Sequence, residues 1–227
     1  MNTWHLLYDG NQTAAHNMAV DEALLETMPR WQFPVLRFYG WTEPAATFGY
    51  FQKYAEVSAR TRLRPLIRRP TGGGIVPHDA DWTYSLAFPA GHEWHGLAAV
   101  TSYHRVHAWI QAAFAQLNIV TELAPCCLPT SPGACFAGYE KSDVLWQGRK
   151  IAGAAQRRNR LGLLIQGSVQ PPPVPVARAD WEHAMLQAAR AAWPISWARL
   201  ASDPTFTANV AELERDKYAQ EHYNQKR

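Results

Sequence analysis

An α+β fold is predicted for this 227-residue sequence by three observations. Short apolar runs are bounded by turn residues, longer stretches carry apolar residues at helical spacing, and the two mix without strict strand and helix alternation. Taken in order, Thr13 is a candidate N-cap, and the pattern after it predicts a helix through Met28. Val35-Leu36-Arg37-Phe38-Tyr39 reads as a strand, and another begins near Trp82 and runs through Thr83-Tyr84-Ser85-Leu86-Ala87-Phe88. Val106, Trp109, Ile110, Ala113 and Leu117 recur as one buried face of a helix. Lys150 falls on a predicted strand, and Leu163-Leu164-Ile165 forms another. The cluster Pro171-Pro172-Pro173-Val174-Pro175 then divides a body, residues 1–170, from an extension, residues 171–227. Helices are predicted there over 180–192 and 209–222. Two helices in about fifty residues cannot build an adequate core of their own, so they are expected to pack on the same domain.

Composition narrows the function classes. Hydrophobic residues make up 47% and charged residues 18%, with ten tryptophans, which excludes a disordered chain and supports one full-sized core. The net charge of +3 is too small to argue for nucleic acid. No basic segment leads into an apolar one at the start, and no apolar run approaches eighteen residues, so neither secretion nor membrane spanning is expected. Three cysteines, with Cys126 and Cys127 adjacent, form neither a disulfide framework nor a zinc spacing, and a reducing cytoplasm is the expected compartment.

Two segments carry chemistry. In Arg68-Arg69-Pro70-Thr71-Gly72-Gly73-Gly74-Ile75-Val76-Pro77-His78-Asp79, three successive glycines allow positive φ and let a ligand lie directly on backbone N–H groups. The segment lacks the Gly-Lys-Ser/Thr ending of a phosphate-binding P-loop and is not G-x-G-x-x-G. In Gly148-Arg149-Lys150-Ile151-Ala152-Gly153-Ala154-Ala155-Gln156, an ammonium stands beside small residues on a strand, an arrangement suited to holding a carbonyl or anionic oxygen. Asp143, the following Gln166-Gly167-Ser168 and the preceding Cys135 add weight to it.

These blocks, with Asn17-Met18-Ala19-Val20-Asp21-Glu22 and Leu36-Arg37-Phe38-Tyr39-Gly40-Trp41 before them, resemble the lipoate and biotin protein ligase superfamily over about residues 4–170. The resemblance implies a mixed β-sheet core flanked by helices. It also implies that Arg69, Thr71, Gly72, Gly73, Gly74 and His78 line an acyl site, faced by Gly153, Ala154 and Ala155. Two chemistries share that pocket. Lipoate protein ligase A activates a free acid with ATP and Mg, whereas the octanoyltransferases take the acyl group from a carrier thioester through an enzyme cysteine. Cys135, fifteen residues before Lys150, resembles the placement in the cysteine-dependent octanoyltransferases.

The expectation is therefore an octanoyltransferase moving an octanoyl group from acyl carrier protein to a lysine of a lipoyl-accepting domain. Such an acceptor is a glycine cleavage H-type protein or a 2-oxoacid dehydrogenase lipoyl domain. Cys135 is the expected nucleophile. Either Lys150, by stabilising the thiolate or taking its proton, or His78 is the expected activator. That route needs no cofactor. The alternatives are the ATP-dependent ligase, a cysteine-based transfer between carrier domains, and a non-catalytic carrier-binding homologue.

Other features take plainer readings. Arg60, Arg62, Arg64, Arg68 and Arg69, and again Arg157, Arg158 and Arg160, are expected to dock an acidic carrier rather than nucleic acid. His92-x-x-His95 and His104-x-x-His107 are not expected to bind metal; the first pair reads as a loop. Asp21, on an inward helical face, is expected to be a structural partner for an arginine. Cys126 and Cys127 are read as structural.

Overall fold

A computed structural model describes residues 2–128 and 138–226. The chain begins with β1 (Asn2–Gln12), α1 (Ala14–Trp31), β2 (Val35–Trp41), β3 (Ala45–Phe48), α2 (Tyr54–Ser58), β4 (Leu66–Arg68), β5 (Val76–His78) and β6 (Trp82–Pro89). The middle carries α3 (Glu93–Gly96), α4 (Ala99–Gln116), β7 (Glu122–Leu123), β8 (Val144–Trp146), β9 (Arg149–Asn159) and β10 (Gly162–Val169). After the prolines come α5 (Arg178–Ala192), β11 (Ile195–Arg199), α6 (Pro204–Leu213), a π-helical turn (Glu214–Tyr218) and α7 (Glu221–Asn224). Among the described residues, eight strands form a mixed sheet in the order β11-β1-β2-β6-β10-β9-β8-β7, and β4-β3-β5 form a smaller one.

The predicted α+β class is what the structure shows, and the N-terminal cap is where the sequence puts it. Thr13 is extended at φ −65° and ψ 156°, and its side chain accepts from the His16 N–H, satisfying one of the orphan donors of the first turn. Strict alternation then sorts β6 between two layers. Trp82, Tyr84, Leu86 and Phe88 join Trp109 and Ile110 of α4 and Trp181 of α5 in the main core. Ala87 instead faces Ala19, Ala23, Leu24 and Met28 of α1. Thr83 and Ser85 share that second face, and the site is built there. No helix among the described residues is long and apolar enough to cross a membrane.

Two readings of the extension are corrected. The helix predicted over 209–222 begins earlier, at Pro204, and is broken by the π-helical turn, whose Lys217 and Tyr218 reach the Glu22 carboxylate of α1. The extension also supplies a strand, since β11 pairs in parallel with β1.

Candidate functional site

The floor of the site is a row of cross-strand neighbours. Gly153 and Ala155 of β9 stand opposite Ser168 and Gln166 of β10, which stand opposite Thr83 and Ser85 of β6. Directly paired residues project to the same face, so two small residues on β9 leave open space beside four polar ones. Gly167 between them is small for another reason. A Cβ there would fall 2.1 Å from the Tyr84 ring, which packs across the opposite face.

The glycine loop joins β4 to β5 and leans over this floor. Gly73 has φ +88°, a conformation open to glycine, and its own added Cβ would stand 3.8 Å from that of Ala155. Its carbonyl lies against Gly49, where any Cβ would meet it at 2.0 Å. Arg69, 4% exposed, folds back onto the Gly72 carbonyl through Nε at 3.0 Å and reaches Thr47 Oγ1 at 3.4 Å. The loop is thus held by its own arginine. Between loop and floor lies a narrow slot of about 60 Å³, partly open to solvent.

Lys150 closes one wall. Its Nζ is 2.7 Å from Asp143 Oδ2, the two side chains being 8% and 0% exposed. Its chain runs across Gly153, so that a Cβ at that position would stand 2.6 Å from Lys150 Cε and 2.7 Å from Nζ. Tyr103 donates its hydroxyl to Asp143 Oδ1. Burial first, then the Asp143 charge, pushes that phenol well above its usual range, so it stays protonated and donating.

Two buried carboxylates fix the remaining walls. Asp21 accepts from Arg37 Nη1 (2.8 Å), Tyr39 OH (3.0 Å), Ser85 Oγ (2.6 Å) and Gln166 Nε2 (2.7 Å). It is the structural partner of an arginine that the sequence suggested. Gln166 Oε1 in turn accepts from Thr71 Oγ1 at 2.7 Å, which ties the glycine loop to α1. The second carboxylate is Asp81. Its Oδ2 is 2.8 Å from His78 Nδ1 and accepts from Ser168 Oγ at 2.7 Å. His78 Nε2 meets Thr47 Oγ1 at 2.9 Å, and the ring stacks on Trp41 at 3.8 Å. Both ring nitrogens of His78 are therefore engaged.

Of the residues expected at the acyl site, Arg69, Gly73, His78, Lys150, Gly153, Ala154 and Ala155 line the slot. Thr71, Gly72 and Gly74 are not among its lining residues; Thr71 and Gly72 instead bond Gln166 and Arg69. Cys135 lies outside the described residues. The partner of His78 is Asp81 and not the adjacent, exposed Asp79. Lining residues not singled out as site residues by the sequence include Met18, Tyr39, Thr47 and Thr83; Met18 and Tyr39 stand within the blocks that carry the family resemblance, and Gln166, Gly167 and Ser168, which the sequence puts beside Lys150, also line the slot.

The basic clusters divide. Arg68 is buried on the backbone carbonyls of Tyr50, Gln52 and Asn224. Arg158 binds the Trp94 carbonyl, and Arg157 pairs with Glu22. These three and Arg69 therefore serve the fold, while Arg60, Arg62, Arg64 and Arg160 are exposed. His92, read as part of a loop, caps the short helix α3, and His95 Nε2 meets the Asn159 carbonyl at 3.0 Å. His104 meets Ser142 Oγ at 3.2 Å, and His107 Nδ1 meets the Tyr103 carbonyl at 3.0 Å.

A family model of the lipoyl protein ligase A/B catalytic domain matches residues 13–170. The chain belongs to that family. A curated relative, the octanoyltransferase LipM of Kyrpidia tusciae, is 34% identical over 184 residues, covering 74% of this chain and 66% of the relative. The match thus spans a little under two thirds of that protein. In fold, a T. acidophilum protein with bound lipoic acid superposes with a TM-score of 0.82 at 20% identity over the whole of both chains. Lipoate-protein ligase A bound with ATP superposes at 0.80 and 19% identity, over 99% of this chain and 98% of that one.

Proposed function

We propose that this protein is a cytoplasmic octanoyltransferase of protein lipoylation, moving an octanoyl group from acyl carrier protein to a lysine of a lipoyl-accepting domain. The observation that carries the reading is the buried Lys150 ammonium, held by Asp143 across Gly153 beside an open slot. A fixed positive charge at that point stabilises the oxyanion that develops when a thioester carbonyl is attacked. The kinship to octanoyltransferases supports the acyl group and the reaction class. Free cysteines at 126 and 127, both exposed, suit a reducing compartment.

The reaction has two balanced steps. The Cys135 thiolate adds to the carbonyl carbon of the carrier thioester, the carrier C–S bond breaks, and the carrier leaves as a thiol with the proton Cys135 gave up. The neutral amine of the acceptor lysine then adds to the octanoyl-Cys135 carbonyl; an amide forms, and Cys135 leaves as its thiol. The thioester supplies the activation, so no ATP or Mg enters this route. His78, with both nitrogens bonded, serves as a wall of the slot, and activation of Cys135 falls to Lys150. The acceptor is a glycine cleavage H-type protein or a 2-oxoacid dehydrogenase lipoyl domain.

The test supplies an isolated lipoyl domain with octanoyl acyl carrier protein without ATP, and in parallel with free octanoate plus ATP and Mg. A mass gain of one octanoyl group in the first reaction alone supports the transferase. Gain in the second alone makes the protein a ligase, and gain in neither makes it a carrier-binding homologue.

A further inference from the structure

We propose that Asp143 is the positioning residue of the transfer reaction, acting through Lys150, a role that rests on the octanoyltransferase reading. Three elements converge to create it. Asp143 precedes β8, Lys150 is the second residue of β9, and Tyr103 lies on α4. The Asp143 carboxylate, fully buried, takes the Lys150 ammonium at 2.7 Å and the Glu140 backbone N–H at 2.7 Å on one oxygen, and the Tyr103 hydroxyl on the other. Every donor is aimed at a charge that cannot rotate away, so the ammonium has one place to stand.

The backbone shows that this aim is built in. Val144 pairs with Ala152 but Leu145 pairs with Lys150, so Ile151 is an extra residue in β9. Such a bulge re-aims the side chains on either side of it. Ile151 and Ala152, although adjacent, both enter the main core, which puts Lys150 and Gly153 on one face even though three positions separate them. Gly153 then supplies the space the lysine crosses, since its Cβ would also meet Asp143 Oδ1 at 3.3 Å. A bulge, a glycine and a carboxylate serve the position of one ammonium, more than a merely stabilising ion pair requires.

The experiment compares wild type, Asp143→Asn, Lys150→Met, the double variant and Tyr103→Phe in ATP-free octanoyl transfer from acyl carrier protein. Asp143→Asn is expected to lower kcat about 100-fold with KM changed less than about threefold, the effect of losing alignment rather than binding. In the Lys150→Met background the same substitution should cost less than about threefold, because residues acting as a unit are not additive. Tyr103→Phe should fall between wild type and Asp143→Asn. Losses that multiply in the double variant, or a wild-type kcat in Asp143→Asn, overturn the proposal. Acetic anhydride labelling of Lys150, read by peptide mass spectrometry, stands apart from turnover. Faster labelling in Asp143→Asn than in wild type supports the hold on Lys150 even if wild type transfers nothing, which would sink the transferase reading alone. Equal labelling rates overturn the proposal.

Discussion

Gly153→Ala separates the space needed by the site from the space needed by the fold. The added methyl would stand 2.6 Å from Lys150 Cε and 2.7 Å from Nζ. That is about 0.8 Å inside ordinary contact, so one of the two must move. The far end of a lysine gives way more easily than a central strand, and the ammonium will leave its bond to Asp143 by about 1 Å. A displacement of that size at a reacting centre costs about 100-fold in rate, or about 2.7 kcal/mol of transition-state stabilisation. The fold should barely register it, because alanine suits a strand better than glycine, and Tm should stay within about 2 °C. The assay is kcat for octanoyl transfer to a saturating lipoyl domain, beside a thermal melt. Wild-type kcat, with Lys150 still on Asp143 in a structure of the variant, would refute the reasoning; so would a large loss of Tm.

Gly167→Ala is the complementary case: its methyl would lie 2.1–2.3 Å from three atoms of the buried Tyr84 side chain, and overpacking should cost about 2–3 kcal/mol, read as a fall in the urea midpoint. Arg37→Met strands Asp9 and Asp21 without their shared guanidinium and should cost about 3–5 kcal/mol in urea unfolding, with a neutral result counting against the network. His107 is held neutral down to about 4, against an ordinary 6.5, because burial disfavours its imidazolium by more than the Asp143 charge favours it, with Lys150 adding repulsion. Between those values the unfolded chain binds more protons, so stability falls as pH drops from 6.5 towards 4, by about 3 kcal/mol in all. His107→Leu should flatten that part of the curve in urea titrations across this range, and an unchanged slope would assign the loss elsewhere.

Local signals account for what was legible in the sequence. The Thr13 cap, the strand through Thr83 and Phe88 and the helical face through Val106 and Ile110 each depend on residues within a turn or two of one another, and each formed as expected. The glycine run and the small residues of β9 were equally readable, because a backbone stripped of Cβ atoms announces close approach wherever it occurs. What escaped depends on distant partners. β1 is half exposed and interrupted at Gly10, with φ +61° and a register shift, so its short Leu6-Leu7-Tyr8 run did not mark a strand, and β11 exists through pairing with it. The helix over 209–222 breaks where Lys217 and Tyr218 turn to reach Glu22, 195 and 196 residues away. Asp81, the partner of His78, was hidden for the same reason: it stands just before β6 and reaches the buried floor beside Ser168, while Asp79 is exposed.

The central claim is a cysteine thioester formed without ATP, and intact-protein mass spectrometry reads it directly. Wild type and Cys135→Ser are incubated with octanoyl acyl carrier protein alone. The account predicts one hydroxylamine-labile octanoyl adduct on wild type, reduced to background in Cys135→Ser. An undiminished adduct in the variant, or no adduct on wild type together with ATP-dependent acylation of a lipoyl domain by the free acid, would contradict it.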